Sequence, residues 1–209
     1  MALYNSKMQQ TLLQTGTPML VADDVQRAPV RVLFDSGSQR SYITKSSRIP
    51  KNLLSAYEHR DVVQNKLNKE LQENRLAGPF RSPPFAKFHV SPIGVVPKNA
   101  PGDFRLIHHL SYPSRNSVND FIDKSERTVS YAMIDDAIRI IKRLGKGCAM
   151  SKTDIKSAFR IIPVHPLDYR ILGMHWEGNY YYDKALPMGC SSSCKIFETF
   201  STSGMDSQK

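Results

Sequence analysis

Several things are scarce in this sequence, and each scarcity excludes something. No stretch approaches the roughly 18 consecutive apolar residues that a membrane-crossing helix needs. The opening MALYNSKMQQTLLQ is too polar for the apolar centre of a secretory leader. Cysteine is rare: Cys148, Cys190 and Cys194 are all there are, an odd number with no disulfide framework behind it. That pattern leads us to expect reduced thiols and an intracellular site. Internal repeats and low-complexity tracts are absent, and no tight Lys/Arg cluster marks a nuclear signal. Acid is in the minority, with 19 Asp and Glu against 29 Lys and Arg, a net charge of +10. The imbalance is uneven. Residues 1–100 hold 14 basic and 7 acidic residues, whereas residues 101–209 hold 15 and 12. A basic chain suits an acidic partner such as nucleic acid, and the second half has carboxylates to spare for metal chemistry. What remains is ordinary for a globular chain: 40% hydrophobic and 23% charged over 209 residues, enough for one domain or a domain plus a fragment.

Residues 11–21, 29–34 (PVRVLF) and RSYIT read as strands, with DSGS at 35–38 a turn between the last two. SSRIPKN breaks this pattern and marks a boundary near residue 50. From 57 to 76 the four-residue recurrence of Val63, Leu67 and Leu71 predicts a helix, stopped by Gly78-Pro79. A Pro-rich stretch follows, then two strands, VSPIGVVPK and DFRLIHHL, joined by the turn NAPG. SYPSRNSVNDFIDKSERT reads as a loop. Residues 131–144 predict a helix with an apolar stripe of Ile134, Ala137, Ile138 and Ile141, ended by Gly145. GCAMSKTD reads as a strand carrying Asp154 at its end. Residues 170–185 read as a hairpin turning at Glu177-Gly178-Asn179, and SSSCKIFETFS as a final helix. The order is that of an α+β fold rather than βαβ alternation.

Three segments carry the chemistry. In SKTDIKSAFRIIPVH, an acid at a strand end before a tight turn can present the Asp154 carboxylate and the Ile155 carbonyl to one Mg²⁺. Small residues at Ser157 and Ala158 leave room for a nucleotide. An aromatic at Phe159 can pack under its sugar and exclude a 2′-hydroxyl. Taken alone, this motif equally describes a turn cap followed by a core aromatic. In LPMGCSSSCKIF, a Pro-x-Gly turn opens a helix near Met188 and Gly189, where free backbone N–H groups favour phosphate. In the first hairpin, Lys98 and Arg105 stand on two strands joined by a short turn and can face one triphosphate.

Together these stretches resemble the reverse transcriptases of retroelements. SPIGVVPK…GDFRLIHHL resembles the fingers hairpin, SKTDIKSAFRIIPVHP motif A, and LPMGCSSSCKIFETF motif B. The wording of FRLIHHLSYP and LPMGCSSSCKIFE is most similar to DIRS-like, tyrosine-recombinase retrotransposons. The resemblance covers about residues 57–203 and implies a partial right-hand polymerase, fingers plus incomplete palm. It implies Asp154 and the Ile155 carbonyl as Mg²⁺ ligands, and Lys98 and Arg105 as triphosphate ligands. Phe159 becomes the sugar gate, beside Ser157 and Ala158. Met188 and Gly189 flank the incoming base and template. The implied partners are an RNA or DNA primer–template and a dNTP. One departure is His108-His109, where the family often has an aspartate.

A second pair of carboxylates, in a Tyr-x-Asp-Asp hairpin after motif B, is expected of that family, but residues 204–209 read GMDSQK. The pair Asp135-Asp136 precedes motif A and reads as acids in the first turn of a helix. The 209-residue chain is therefore expected to lack polymerase activity.

Upstream, VRVLFDSGSQRSYIT resembles the active-site turn of retropepsin-like aspartic proteases, and the wider stretch from residue 11 to 45 resembles the protease segment of BEL/Pao-type retroelements. Asp35 would be one of two acids that share a proton and activate water. The stretch is short for such a barrel, so a fragment is expected. The division is then a protease-like fragment at 1–50, a fingers and palm fragment at 51–203, and a divergent tail at 204–209. Two other readings compete with a polymerase fragment: an aspartic-peptidase remnant dimerising through the Asp35 segment, and a host-recruited, non-catalytic nucleic-acid-binding protein. Smaller features have plain readings. Cys190 and Cys194 could share a helix face as small, buried residues. His108 and His109 would point to opposite sides of a strand, and the tyrosines at 180–182 would pack the hairpin.

Overall fold

The computed structural model describes residues 49–150 and 154–206. Asp35, and nearly all of the segment before the boundary expected near residue 50, lie outside the described residues. The described chain opens with a short helix α1 (Leu54–Glu58). His59, at φ −125° and ψ 51°, breaks it from α2 (Arg60–Gln72). The spacing read from the sequence holds in α2: Val63 and Leu67 are fully buried and Leu71 packs beside them.

The helix ends earlier than the sequence suggests. Asn74 turns the chain through a left-handed conformation at φ 57°, a region that Asn tolerates well. Strand β1 (Leu76–Phe80) follows, and Gly78-Pro79, expected to stop the helix, lies inside it. Pairing explains this. Leu76 faces Asp183 and Phe80 faces Tyr180 of a strand far along the chain, with an irregular register between Ala77 and Phe80. Such irregularity is where a sheet accommodates Gly and Pro.

The expected first hairpin is present. β2 (Ile93–Pro97) pairs antiparallel with β3 (Phe104–His108), in a register running from Ile93 opposite His108 to Pro97 opposite Phe104. The second hairpin is β4 (Gly173–Trp176) with β5 (Asn179–Asp183). Its turn is Glu177-Gly178, at φ 44° and 77°, the two positive φ values of a type I′ connection. The sheet order is β1-β5-β4, with β2-β3 a separate pair. Asn52 ties the two together: its side chain accepts from Ile93 N at 3.0 Å and donates to the His175 carbonyl at 2.9 Å. The tyrosines divide by the pleat. Tyr181 is buried with Met174 and Trp176, whereas Tyr182 stacks with Phe80 and Tyr169 on the other face.

The core has two parts. One gathers Ala56, Val63, Leu67, Ile93, Met174, Trp176 and neighbours around α2 and the sheets. The other gathers Leu110, Ile122, Ile162, Val164, Leu172, Leu186 and Cys190 under the final helix α4 (Ser193–Asp206).

Three expectations are corrected. Helix α3 (Ile134–Leu144) forms and ends at Gly145 (φ 85°), but its apolar stripe is not core. Ala137 is buried, while Ile134, Ile138 and Ile141 are exposed, because none of the described elements packs over them. GCAMSKTD is not a strand in its described residues, 147–150 and 154. A strand needs a neighbour for its backbone groups, and no described strand pairs there. Cys190 and Cys194 do not share a helix face, since α4 starts at Ser193; Cys190 is buried and Cys194 exposed. The reading of Asp135-Asp136 agrees with the structure: the Asp136 carboxylate caps α3 by accepting from Met133 N at 2.8 Å.

Candidate nucleic-acid interface

The β2–β3 hairpin sets the first part of the site. Arg105 lies opposite Val96, and Lys98 N donates to the Asp103 carbonyl at 2.8 Å, two residues further along the ladder. Alternation then puts Lys98 and Arg105 on one face, and both are exposed. Lys98 Nζ donates to Asp103 at 2.7 Å, and Lys66 of α2 reaches the other oxygen of that carboxylate at 3.3 Å. The Lys98 bond, with help from Lys66, holds the Asp103 carboxyl below its ordinary range. Exposed pairs of this kind hold weakly, so a phosphate can compete for Lys98.

The second part is the turn after Asp154. Asp154 is exposed and Ile155 half-buried. Ser157 sits in the left-handed region (φ 57°, ψ 38°) and opens a 3-10 turn at Ala158–Ile161. Phe159 is half-buried, edge-on to Phe197 of α4 with ring centres 5.8 Å apart. It serves as packing for the second core cluster. Among the described residues no group of three or more His, Cys, Asp or Glu side chains could hold a metal ion. Asp154 alone does not fit a two-ion Mg²⁺ site, which needs carboxylates on both sides of the metal pair.

The third part is the loop 186–193, with Met188 exposed and Gly189 half-buried. Gly189 lies so close to β3 that a Cβ there would collide with the His108 carbonyl oxygen. A residue that the sequence does not single out holds this loop. Asn119, on a 3-10 turn at Val118–Phe121 within the expected loop, donates to the Gly189 carbonyl and to Ser111 Oγ, each at 2.8 Å. Its Oδ1 accepts from Ser191 N at 2.9 Å. Replacing Asn119 by Ala leaves loop groups unpaired and is expected to cost about 1–2 kcal/mol in urea unfolding.

Behind these segments lies a chain of buried charge that sequence reasoning also misses. Arg160, next to Phe159, donates to Glu70 of α2 at 2.8 and 3.0 Å and to Asp183 of β5 at 2.7 Å. It also donates to the carbonyls of Ala185 at 3.0 Å and Leu186 at 3.4 Å, at the entry to the loop. Glu70 accepts from Arg75 as well, at 2.7 and 2.8 Å. Asp183 accepts from His108 Nδ1 at 3.0 Å. Burial by itself would raise the Asp183 carboxyl, but Arg160 and His108 hold it below its ordinary range. Burial likewise opposes Arg75 and Arg160 at Glu70, whose carboxyl is also held low. The sign follows from linkage. A depressed carboxyl contributes stability that is present above the ordinary carboxyl range and lost as pH falls through the folded-state value. Acid unfolding monitored by Trp176 fluorescence is therefore expected to set in below about pH 4, and to shift to higher pH in Asp183→Asn.

The structure thus brings β3, the turn after Phe159 and the loop at Gly189 together. Asp35 lies outside the described residues, and the hairpin at Lys98 and Arg105 is joined to the rest through His108. No protein-family profile matches the sequence, and no curated protein does. Among solved structures, the chain is similar to a foamy viral protease-reverse transcriptase in complex with dsDNA, at 16% identity and a TM-score of 0.51 over 81% of this chain and 30% of that one. It is also similar to native prototype foamy virus protease-reverse transcriptase, at 19% identity and a TM-score of 0.50 over 75% of this chain and 19% of that one. At such identities the likeness is one of fold. The chain has a mixed α/β fold similar to part of these foamy viral proteins, and it spans less than a third of their length.

Proposed function

We propose that these residues form the fingers and incomplete palm of a retroelement reverse transcriptase, of DIRS-like type, that binds a primer–template and a dNTP. The observation that supports this reading is the contact among the segments that carry the three motifs: the hairpin, the turn around Phe159, and the loop 186–193. They meet through His108 and Gly189 and through Arg160 and the Ala185 and Leu186 carbonyls. The net charge of +10 and the foamy viral fold likeness agree with it. In this reading Lys98 and Arg105 take the triphosphate, Ser157, Ala158 and Phe159 bound the sugar, and Met188 and Gly189 flank base and template. Asp154 and the Ile155 carbonyl would take part in holding Mg²⁺, together with further carboxylates. The segment before residue 50, with Asp35, is read as BEL/Pao-type protease-like, and the reduced cysteines as those of an intracellular protein.

Fluorescence anisotropy of the 209-residue chain with a labelled primer–template duplex tests the reading. Binding should weaken steeply as salt rises, as counterion release requires. It should weaken further in a Lys98→Ala, Arg105→Ala double variant. A folded chain with no salt-sensitive binding overturns the reading. Primer extension by the same chain is expected to be absent, and extension lost on Asp154→Asn would show that the carboxylate set is complete.

A further inference from the structure

The geometry points to His108, Asp183 and Arg160 as positioning residues that hold the fingers hairpin against the 186–193 loop in a proton-dependent way. This rests on the reading of that hairpin and loop as the nucleotide-contacting segments. His108 ends β3 and is buried, one side of its ring toward Asp183 and the other toward the start of β4. Nδ1 lies 3.0 Å from an Asp183 carboxylate oxygen, and Nε2 lies 3.1 Å from the Gly173 carbonyl. Both of those oxygens are acceptors. A neutral imidazole has one N–H and can satisfy only one of them, whereas the imidazolium satisfies both.

The charges around the ring are of both signs. Behind Asp183 the charges alternate through Arg160, Glu70 and Arg75. Two further histidines stand near this ring: His109, next in the chain, and His89, from the segment before β2. Burial, and then the charge of His108, keep His89 below its ordinary range. Ser91 N shares the Gly173 carbonyl at 2.9 Å, and Gly189 supplies only backbone.

The consequence reaches the site through that backbone. When His108 loses its second proton, a ring lone pair faces either the Asp183 carboxylate or the Gly173 carbonyl, and the end of β3 relinquishes one of its two anchors. The His108 carbonyl is the surface on which Gly189 rests, with no space for a Cβ between them. Movement there displaces the loop at Met188 and Gly189 relative to Lys98 and Arg105. Arg160 holds the other end of the same loop by the Ala185 and Leu186 carbonyls. Proton uptake by His108 therefore favours the docked arrangement and binding of the nucleic acid.

The test uses the full 209-residue chain with ¹⁵N-labelled histidine and glycine, and a fluorescent primer–template duplex, across about pH 5 to 8, the range in which histidine changes charge. His108→Gln and His108→Asn each keep one amide donor and do not titrate. We expect both His108 ring nitrogens to carry protons in the docked form, as the two facing acceptors require, and the Gly189 amide signal to follow any change at His108. Duplex affinity should fall about tenfold more in the wild type than in either variant as pH rises, a factor equal to about 1.4 kcal/mol of binding free energy. A His108 ring that stays singly protonated throughout this range, or a variant retaining the full wild-type pH slope, overturns the proposal. Should the folded chain bind no duplex at any pH, the nucleic-acid reading fails by itself. The positioning role is then decided by whether Gly189 follows His108: tracking supports it, indifference overturns it. Should neither variant fold, the same wild-type spectra decide.

Discussion

Replacing Arg160 by Leu is expected to lower the free energy of unfolding by about 3–5 kcal/mol, a large part of the roughly 5–15 kcal/mol that holds a domain of this kind together. The cost comes less from the bonds lost than from what they leave behind. Asp183 is buried and Glu70 mostly so, and each faces Arg160 at 2.7–2.8 Å. Without the guanidinium these carboxylates lie out of water with too little positive charge, and two carbonyls at the mouth of the loop lose a donor. A double variant, Arg160→Leu with Asp183→Leu, should recover part of the loss. Removing both partners of a buried pair is milder than stranding one. Urea unfolding reads this as a lowered midpoint with an unchanged slope. A loss below about 1 kcal/mol, of the size an exposed ion pair gives, would mean that water already reaches the cluster.

Gly189→Ala is the second large effect, at about 3 kcal/mol, the upper end of the usual cost of overpacking. The atom a new methyl group would meet is the His108 carbonyl oxygen, which is backbone and cannot rotate away. That residue is anchored by its ladder position opposite Ile93 and by its ring bonds on both sides. Relief must come from the loop, which then loses the bonds from Asn119 to the Gly189 carbonyl and from Ser191 N to Asn119. Gly102→Ala is a fair control. It stands at φ 79° with no atom within 4 Å of a new Cβ, so only backbone strain of about 1–2 kcal/mol applies. Thermal unfolding should separate the two variants, and only Gly189→Ala should lose duplex affinity. Equal destabilisation by both would show that the approach to β3 is not the constraint.

Much of this arrangement was legible in the sequence wherever a signal is local. The two hairpins announced themselves through Val and Ile runs and through tyrosines around a Glu-Gly turn, and α2 through its four-residue recurrence. Where a distant partner decides, the sequence was silent or misleading. Gly78-Pro79 reads locally as a stop, yet β5 makes the same residues part of a strand. The stripe of α3 reports a face that wants cover, which periodicity cannot distinguish from a face that has it. Residues 147–150 look like a strand by composition, yet no described strand pairs with them. In the candidate site, the motif segments were readable but the charges that join them were not. Glu70 and Arg160 look like surface residues by type, and they stand 90 positions apart. Two faint signals existed: Asp183 among tyrosines and apolar residues, and His108 in the apolar run FRLIHHL. Asn119 gave none, being one polar residue in a polar loop.

The strand that leaves α2 is zipped to the second hairpin, while everything from the first hairpin to α3 and the glycine turn at Gly145 and Gly147 lies between them in the chain. A cut within α3, whose single buried residue is Ala137, would part no strand from its neighbour within either hairpin. One piece would keep β1, β2 and β3, the other β4 and β5, and each would carry the hydrogen-bonding edge that completes the other. The two halves are complementary fragments in the strict sense, and a severed chain would persist as a heterodimer of itself.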